Sequence, residues 1–405
     1  MKTKDLMNTL RCMRNYHINF KEVEMQVKKV VFISNFFNHH QKPLSDAFFG
    51  ELKSGYVFIE TEPMSEERKN MGWGMNNYPE YVVNSETFYK NKNHYIKVVN
   101  DADAVIIGSA PEVLIKERKK NKKLIFRYSE RPLKKGLEIL KYPLRFVRWH
   151  LNNHPQKNIY MLCASAYTAK DYAKFGLFKN KCYKYGYFPE TREYSDLDLM
   201  IDSKEKQSIL WVARLIDWKH PEAAIEVAKR LKADGYSFDL NIIGVGEMED
   251  YIRDRIENEN LGNEVHMLGS KTPDEVRTYM EKSQIFLMTS DRQEGWGAVL
   301  NESMNSACAV VANKALGAAP YLIEDNKSGF LYRDGDMDDL YSKVKLLLDN
   351  SEKRKEFGMN AYKTIVEHWN ADNAVHRTIA LFDAILSEKK RQDIFENGLC
   401  SKADK

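Results

Sequence analysis

Short apolar runs rich in β-branched residues recur along most of the chain, with longer amphipathic stretches between them. In the first half, residues 30–34, 56–59, 95–99, 104–108, 124–128 and 159–163 read as strands. In the second half, 208–212, 239–243, 264–267, 285–288 and 309–312 do the same, with helices at 221–233, 248–259, 272–281 and 298–307. Runs that are apolar throughout fit parallel strands covered on both faces. Their alternation with helices predicts two doubly wound α/β units in succession. The core pattern lapses in the polar, acidic passage 189–207, which separates the units. The predicted division is an N-terminal extension 1–25 (or a true start at Met25), a first unit 26–190, a linker 191–207, a second unit 208–370, a C-terminal helix 371–388 and a polar, frayed tail 389–405.

Composition narrows the class. The 405 residues are 43% hydrophobic and 30% charged, with only 20 Gly and 11 Pro, which excludes collagen-like and disordered chains. No uncharged run reaches spanning length, and the first 26 residues lack a secretory apolar block. Five scattered cysteines without metal-type spacing suit a reduced, cytoplasmic setting. Net charge is only +4, but residues 112–150 hold 13 Lys or Arg against 4 Asp or Glu. That stretch also carries Leu and Trp side chains. Lys134, Lys135, Arg145, Arg148 and Trp149 therefore suit an anionic membrane surface, the alternative being a solvated helix packed on the first unit. No nucleic-acid reading motif accompanies the charge.

In open α/β sheets, ligands bind beyond the carboxyl ends of strands. Three loops of the second unit have suitable chemistry. Arg214 and Lys219 follow the first strand and precede Pro221, so two cations stand where a diphosphate fits; two solvated surface cations would read the same way. Gly244 and Gly246 permit a tight turn or a close ligand approach, but do not complete a dinucleotide fingerprint. The third loop, Glu294-Gly-Trp-Gly, opens a helix whose amides suit a phosphate or sugar oxygen, with Glu302 further along it. Asp-x-Asp triplets at Asp101, Asp196 and Asp336 are expected by chance in so acidic a chain, and no metal site is assigned.

The run Glu294-Gly-Trp-Gly-Ala-Val-Leu-Asn-Glu302 resembles the E-x7-E signature of family 4 retaining glycosyltransferases ("glycosyl transferases group 1"). Val212-Ala-Arg-Leu, Ile243-Gly-Val-Gly, Val265-His-Met-Leu-Gly and Ser328-Gly-Phe-Leu follow in that family's order. The resemblance is clear over 208–335. It departs at Gly317-Ala318-Ala319, where Gly-Gly is usual, at Tyr321, where an acid is usual, and at Ala307. It implies a GT-B fold, two Rossmann-like doubly wound domains facing a central cleft. It also implies a metal-independent enzyme of hexosyltransferase type that needs no cofactor beyond its nucleotide-sugar donor. Arg214 and Lys219 would then bind the donor diphosphate, Glu302 the ribose diol and Glu294 the transferred sugar. Gly244, Gly246, Gly295, Trp296 and Gly297 would complete the donor site.

The first unit should supply acceptor and catalytic groups. His39 and His40 follow its first strand, where related enzymes often carry a glycine-rich loop. Glu130 can orient an acceptor hydroxyl, Arg131 can stand near a phosphate, and Glu62 ends the second strand. The resulting expectation is a cytoplasmic, membrane-peripheral glycosyltransferase acting on a glycan or lipid-linked acceptor in surface polysaccharide synthesis. A sugar-nucleotide epimerase or hydrolase of the same fold is the nearest rival, and a non-catalytic nucleotide-sugar-binding protein the next. Base, sugar, acceptor, linkage and oligomeric state are not legible in the sequence.

Overall fold

The structure, a computed structural model, describes residues 26–66, 74, 77–154, 156–387 and 394–403; the expected extension 1–25 lies outside them. Two wholly parallel sheets make up its frame. The first contains β1 (Val30–Ser34), β2 (Tyr56–Glu60), β3 (Val82–Val83), β4 (Ala104–Ile107), β5 (Leu124–Ser129), β6 (Ile159–Cys163) and β7 (Cys182–Lys184). Its spatial order is β3-β2-β1-β4-β5-β6-β7. The second contains β8 (Ser208–Val212), β9 (Asp239–Ile243), β10 (Val265–Met267), β11 (Ile285–Met288), β12 (Ala309–Asn313) and β13 (Phe330–Tyr332), in the order β10-β9-β8-β11-β12-β13. This is the GT-B architecture. Each sheet reverses its winding once, between β1 and β4 and between β8 and β11, and such a switch point leaves a crevice where loops diverge.

The central strands β1, β4, β11 and β12 are buried along their whole length, as their almost wholly apolar content requires of strands covered on both faces. Residues 95–99, expected as a strand, lie instead within the helix Lys92–Asp101. Tyr95, Val98 and Val99 recur at helical spacing and pack on one core, a period the short window disguised. The buried Arg118 guanidinium donates to the carbonyls of Val99 (2.7 Å), Ala102 (2.8 Å) and Leu124 (2.7 Å), tying that helix end to β5. Part of the basic stretch is thus interior: Arg127 likewise pairs with Glu112 at 2.6 Å.

The passage between the sheets is ordered. It forms the helix Leu197–Asp202, and the buried Lys204 ammonium donates to the carbonyls of Met280, Glu281, Ser283 and Ser306 at 2.8–3.0 Å. Those carbonyls end the helices Pro273–Lys282 and Ala298–Asn305, where intrahelical donors run out. The last helix, Ala371–Leu386, crosses back onto the first sheet. There Phe382 meets Phe126 with centroids 4.7 Å apart, and Asp383 accepts from the Val27 N–H at 2.8 Å. The tail expected to fray does not do so at 394–403. Leu399 and Cys400 are buried, and Lys184 and Ser401 continue the edge of β7 through backbone hydrogen bonds.

Candidate active site

Arg214 and Lys219 leave β8, and Glu294 leaves β11; the two strands are direct neighbours at the switch point. The intervening residues pin both loops. Thr289 accepts from the Trp211 indole N–H (2.7 Å) and donates to the Lys219 carbonyl (2.6 Å). The Asp291 N–H donates to the Trp218 carbonyl at 3.0 Å. His220, in the left-handed region at φ 52°, bonds Glu222 at 2.8 Å and lies 3.5 Å from Asp291, which crosses the same gap. A residue with a Cβ in that conformation is uncommon, and it is held here by the Pro221 helix start that follows it.

With its loop fixed, the Lys219 ammonium contacts the Glu294 carboxylate, both side chains being largely buried. Burial, then the neighbouring cations Arg214 and Lys134, press Lys219 down to about 7, against the opposing pull of Glu130 and Asp291. Glu130, from the end of β5, is itself paired with Lys134 and hydrogen-bonded by Tyr187. A Cβ on Gly295 would fall 1.9 Å from the Glu130 carboxylate, so the two domains meet here with no room for a side chain. Arg292 donates to the Leu133 carbonyl at 2.9 Å, and the Ala166 N–H donates to the Gly317 carbonyl at 2.9 Å. Two loops of the second domain, those after β11 and β12, therefore close on the carboxyl ends of β5 and β6.

Arg214, Lys219, Glu294, Gly295 and Glu130 are thus gathered into one cluster. Lys134, expected on a membrane surface, belongs to this cluster instead: the turn after β5 folds it back toward Glu130. Gly297, at φ 90°, starts the helix Ala298–Asn305, whose first turn no side chain caps. Its opening amides, left without a side-chain cap, make an electropositive end suited to an anion.

Glu302, further along that helix, interacts electrostatically with Arg277 and Arg192. Burial pushes its carboxyl up to about 7, with those two cations opposing. His39 and His40 stand beyond the end of β1 with ring centroids 3.9 Å apart. Burial, and the His39 ring beside it, lower His40 to about 3, so it meets a ligand as a neutral ring.

Several expectations change. Trp296 does not face the donor. It is fully buried, its indole donates to Asn301 at 2.9 Å, and a Cβ on Gly186 would fall 2.3 Å from its ring. Arg131 is spent internally: it pairs with buried Asp171 at 3.2 Å and lies 4.6 Å from the Tyr167 ring centroid. Gly244 and Gly246 serve the chain itself. A Cβ on them would fall 1.8 Å from the Ala213 carbonyl oxygen and 2.3 Å from that of Leu215, so they seat the Arg214 loop. Glu62 is exposed beyond β2. Its buried neighbour Glu60 instead holds the loop after β1 by accepting from the Phe37 N–H at 3.0 Å. Trp149 packs inward against Phe175, with centroids 4.5 Å apart.

Residues missed in the sequence are Thr289, Asp291 and His220, and Lys134 was expected only at a membrane surface. The signal for the first two was their place between a buried strand and Glu294; for His220 it was the position before a helix-starting proline.

Comparison with known proteins shows what the chain is similar to. Residues 201–364 match the model of the family described as Glycosyl transferases group 1. A poly(ribitol-phosphate) alpha-N-acetylglucosaminyltransferase of Staphylococcus aureus (strain COL) is 29% identical over 174 residues, 43% of this chain and 34% of that protein. The amylovoran biosynthesis glycosyltransferase AmsK of Erwinia amylovora is 36% identical over 133 residues, 32% of each. These matches span about a third of the relatives' own length. The crystal structure of Anabaena Alr3699/HepE in complex with UDP superposes with a TM-score of 0.64 at 14% identity, covering 89% of this chain and 100% of that one. The chain is therefore similar to glycosyltransferases of polysaccharide and teichoic acid biosynthesis across its second sheet, and shares the GT-B fold across both.

Proposed function

We propose that the protein is a retaining glycosyltransferase that moves a sugar from a nucleoside-diphosphate donor to a glycan or lipid-linked acceptor, in the synthesis of a surface polysaccharide. The observation that carries this reading is the convergence of Arg214, Lys219 and the uncapped helix start at Gly297 on the β8–β11 switch point. Donor phosphates replace Glu294 as the partner of Lys219, and Arg214 adds a second cation. The E-x7-E resemblance adds Glu294 for the sugar and Glu302 for the ribose. The UDP bound in the HepE crystal structure supports a nucleotide in this fold.

In the reaction, the bond from the anomeric carbon to the leaving phosphate oxygen breaks as the acceptor oxygen bonds that carbon on the same face. The acceptor proton passes to the departing phosphate. Arg214, Lys219 and the helix amides stabilise charge where it grows, and no dedicated strong base is needed. Glu130 orients the acceptor hydroxyl, with His39 and His40 as neutral hydrogen-bonding rings nearby. The scheme uses no metal. Contacts such as Arg292 to Leu133 close the cleft and keep water from the sugar.

The test is a thermal-shift screen of nucleoside-diphosphate sugars, followed by product analysis with the best donor and saccharide acceptors. A glycoside with the donor's anomeric configuration is expected. An isomerised donor, or free sugar as the only product, would contradict the reading.

A further inference from the structure

The helix Tyr142–Asn153 and the turn before it leave an apolar ridge in solvent. Leu140 is 95% exposed, Leu144 75%, Val147 55% and Leu151 70%. Their spacing of four, three and four residues places them on one face of a helix. The helix is nevertheless well anchored. Its opposite face sets Tyr142 4.8 Å and Trp149 4.5 Å, between centroids, from Phe175, and Arg127 donates to the Asn152 carbonyl at 2.8 Å. The exposed leucines therefore belong to a docked element. Exposed Lys135, Lys141 and Arg148 flank the ridge, and from 139 to 170 the chain has no Asp or Glu. Lys141 and Arg145 both pair with Glu138 in the turn before the helix, Lys141 at 2.7 Å, so Lys135 and Arg148 carry the unshared charge.

We propose that this ridge lies in the interface of an anionic lipid bilayer, with Leu140, Leu144, Val147 and Leu151 among the acyl chains and Lys135, Lys141 and Arg148 at the lipid phosphates. An amphipathic helix with apolar residues on one face and cations beside it binds such a surface by burial and charge together. Charge favours lipid over a second copy. A copy packed on the same face would bring these cations against their own equivalents, and the one carboxylate beside them, Glu138, is already shared by Lys141 and Arg145. The surface stands independently of the donor-site reading. On that reading it also acquires a use, because the turn 132–136 leading into the helix is the one Arg292 grips, so a lipid-linked acceptor reaches the cleft from the bilayer side.

The test is co-sedimentation of the full chain with phosphatidylcholine vesicles, with and without phosphatidylglycerol. Binding at least about tenfold stronger to the anionic vesicles is expected. Leu144→Ser with Leu151→Ser should lower it about tenfold, and Lys141→Glu with Arg148→Glu should abolish the anionic preference. Both pairs should leave nucleoside-diphosphate affinity unchanged, which also reports that the variants fold. Failure of the wild type to pellet, equal binding by the variants, or a dimer that the leucine substitutions dissolve would overturn the proposal. Vesicle binding without nucleotide binding would leave it standing and count against the donor site alone.

Discussion

Lys219 and Glu294, carried by neighbouring parallel strands of the second sheet, close on each other as a largely buried ion pair. Neither is held by its own helix, and each is the other's partner only across the switch point. In the proposed reaction the pair must part. The donor diphosphate takes over the ammonium, and the carboxylate turns to sugar hydroxyls.

Glu294→Gln tests that exchange. It removes a competitor for Lys219 and a charge that repels phosphate, so a nucleoside diphosphate is expected to bind severalfold tighter. Transfer should fall about 100-fold, since the sugar loses a charged acceptor. Calorimetry and a transfer assay on the same variant read both effects; a parallel loss of both would place Glu294 at the phosphates instead.

The pH dependence of nucleotide affinity follows from two groups poised near 7. A diphosphate raises the Lys219 pKa in the complex, so affinity is full below about 7 and falls as pH rises above it. A ribose diol bonded to ionised Glu302 lowers that carboxyl in the complex, so affinity falls as pH drops below about 7. A bell with its maximum near neutrality is expected in calorimetric titrations, and Glu302→Gln should erase only the acid limb. A flat profile would contradict both assignments.

Trp296 and Arg131 act through the fold. Trp296→Ala opens a cavity in a packed core and should cost about 3–5 kcal/mol of stability. Arg131→Ala leaves Asp171 buried beside the Leu133 N–H without its main cation, at a cost of about 3–5 kcal/mol. Denaturant unfolding measures both. Nucleotide affinity well below the melting temperature should not change, which distinguishes them from Lys219.

Much of this was legible in the chain because buried parallel strands announce themselves as continuous Val, Ile and Leu runs. β8 and β11 are of that kind, so the loops carrying Arg214, Lys219 and Glu294 could be placed at strand ends. β3, β7 and β13 span two or three residues each, too few to stand out. Side-chain direction was the harder part. Arg131 and Arg214 both follow strands, and nothing local shows that Asp171, forty residues on, has claimed the first. Trp296 sits within a Gly-Trp-Gly run whose backbone enters the site while its indole enters the core. Lys134 and Lys141 looked alike in a basic run, although one faces the cleft and the other solvent.

The most direct measurement is calorimetric affinity for the best-binding nucleoside diphosphate in wild type, Arg214→Ala, Lys219→Ala and the double variant. Each single change should weaken binding about 10- to 100-fold, as loss of a charge-assisted hydrogen bond predicts, with the double weaker still. Unchanged affinity in all three variants, with folding intact, would mean that no pyrophosphate sits between β8 and β11.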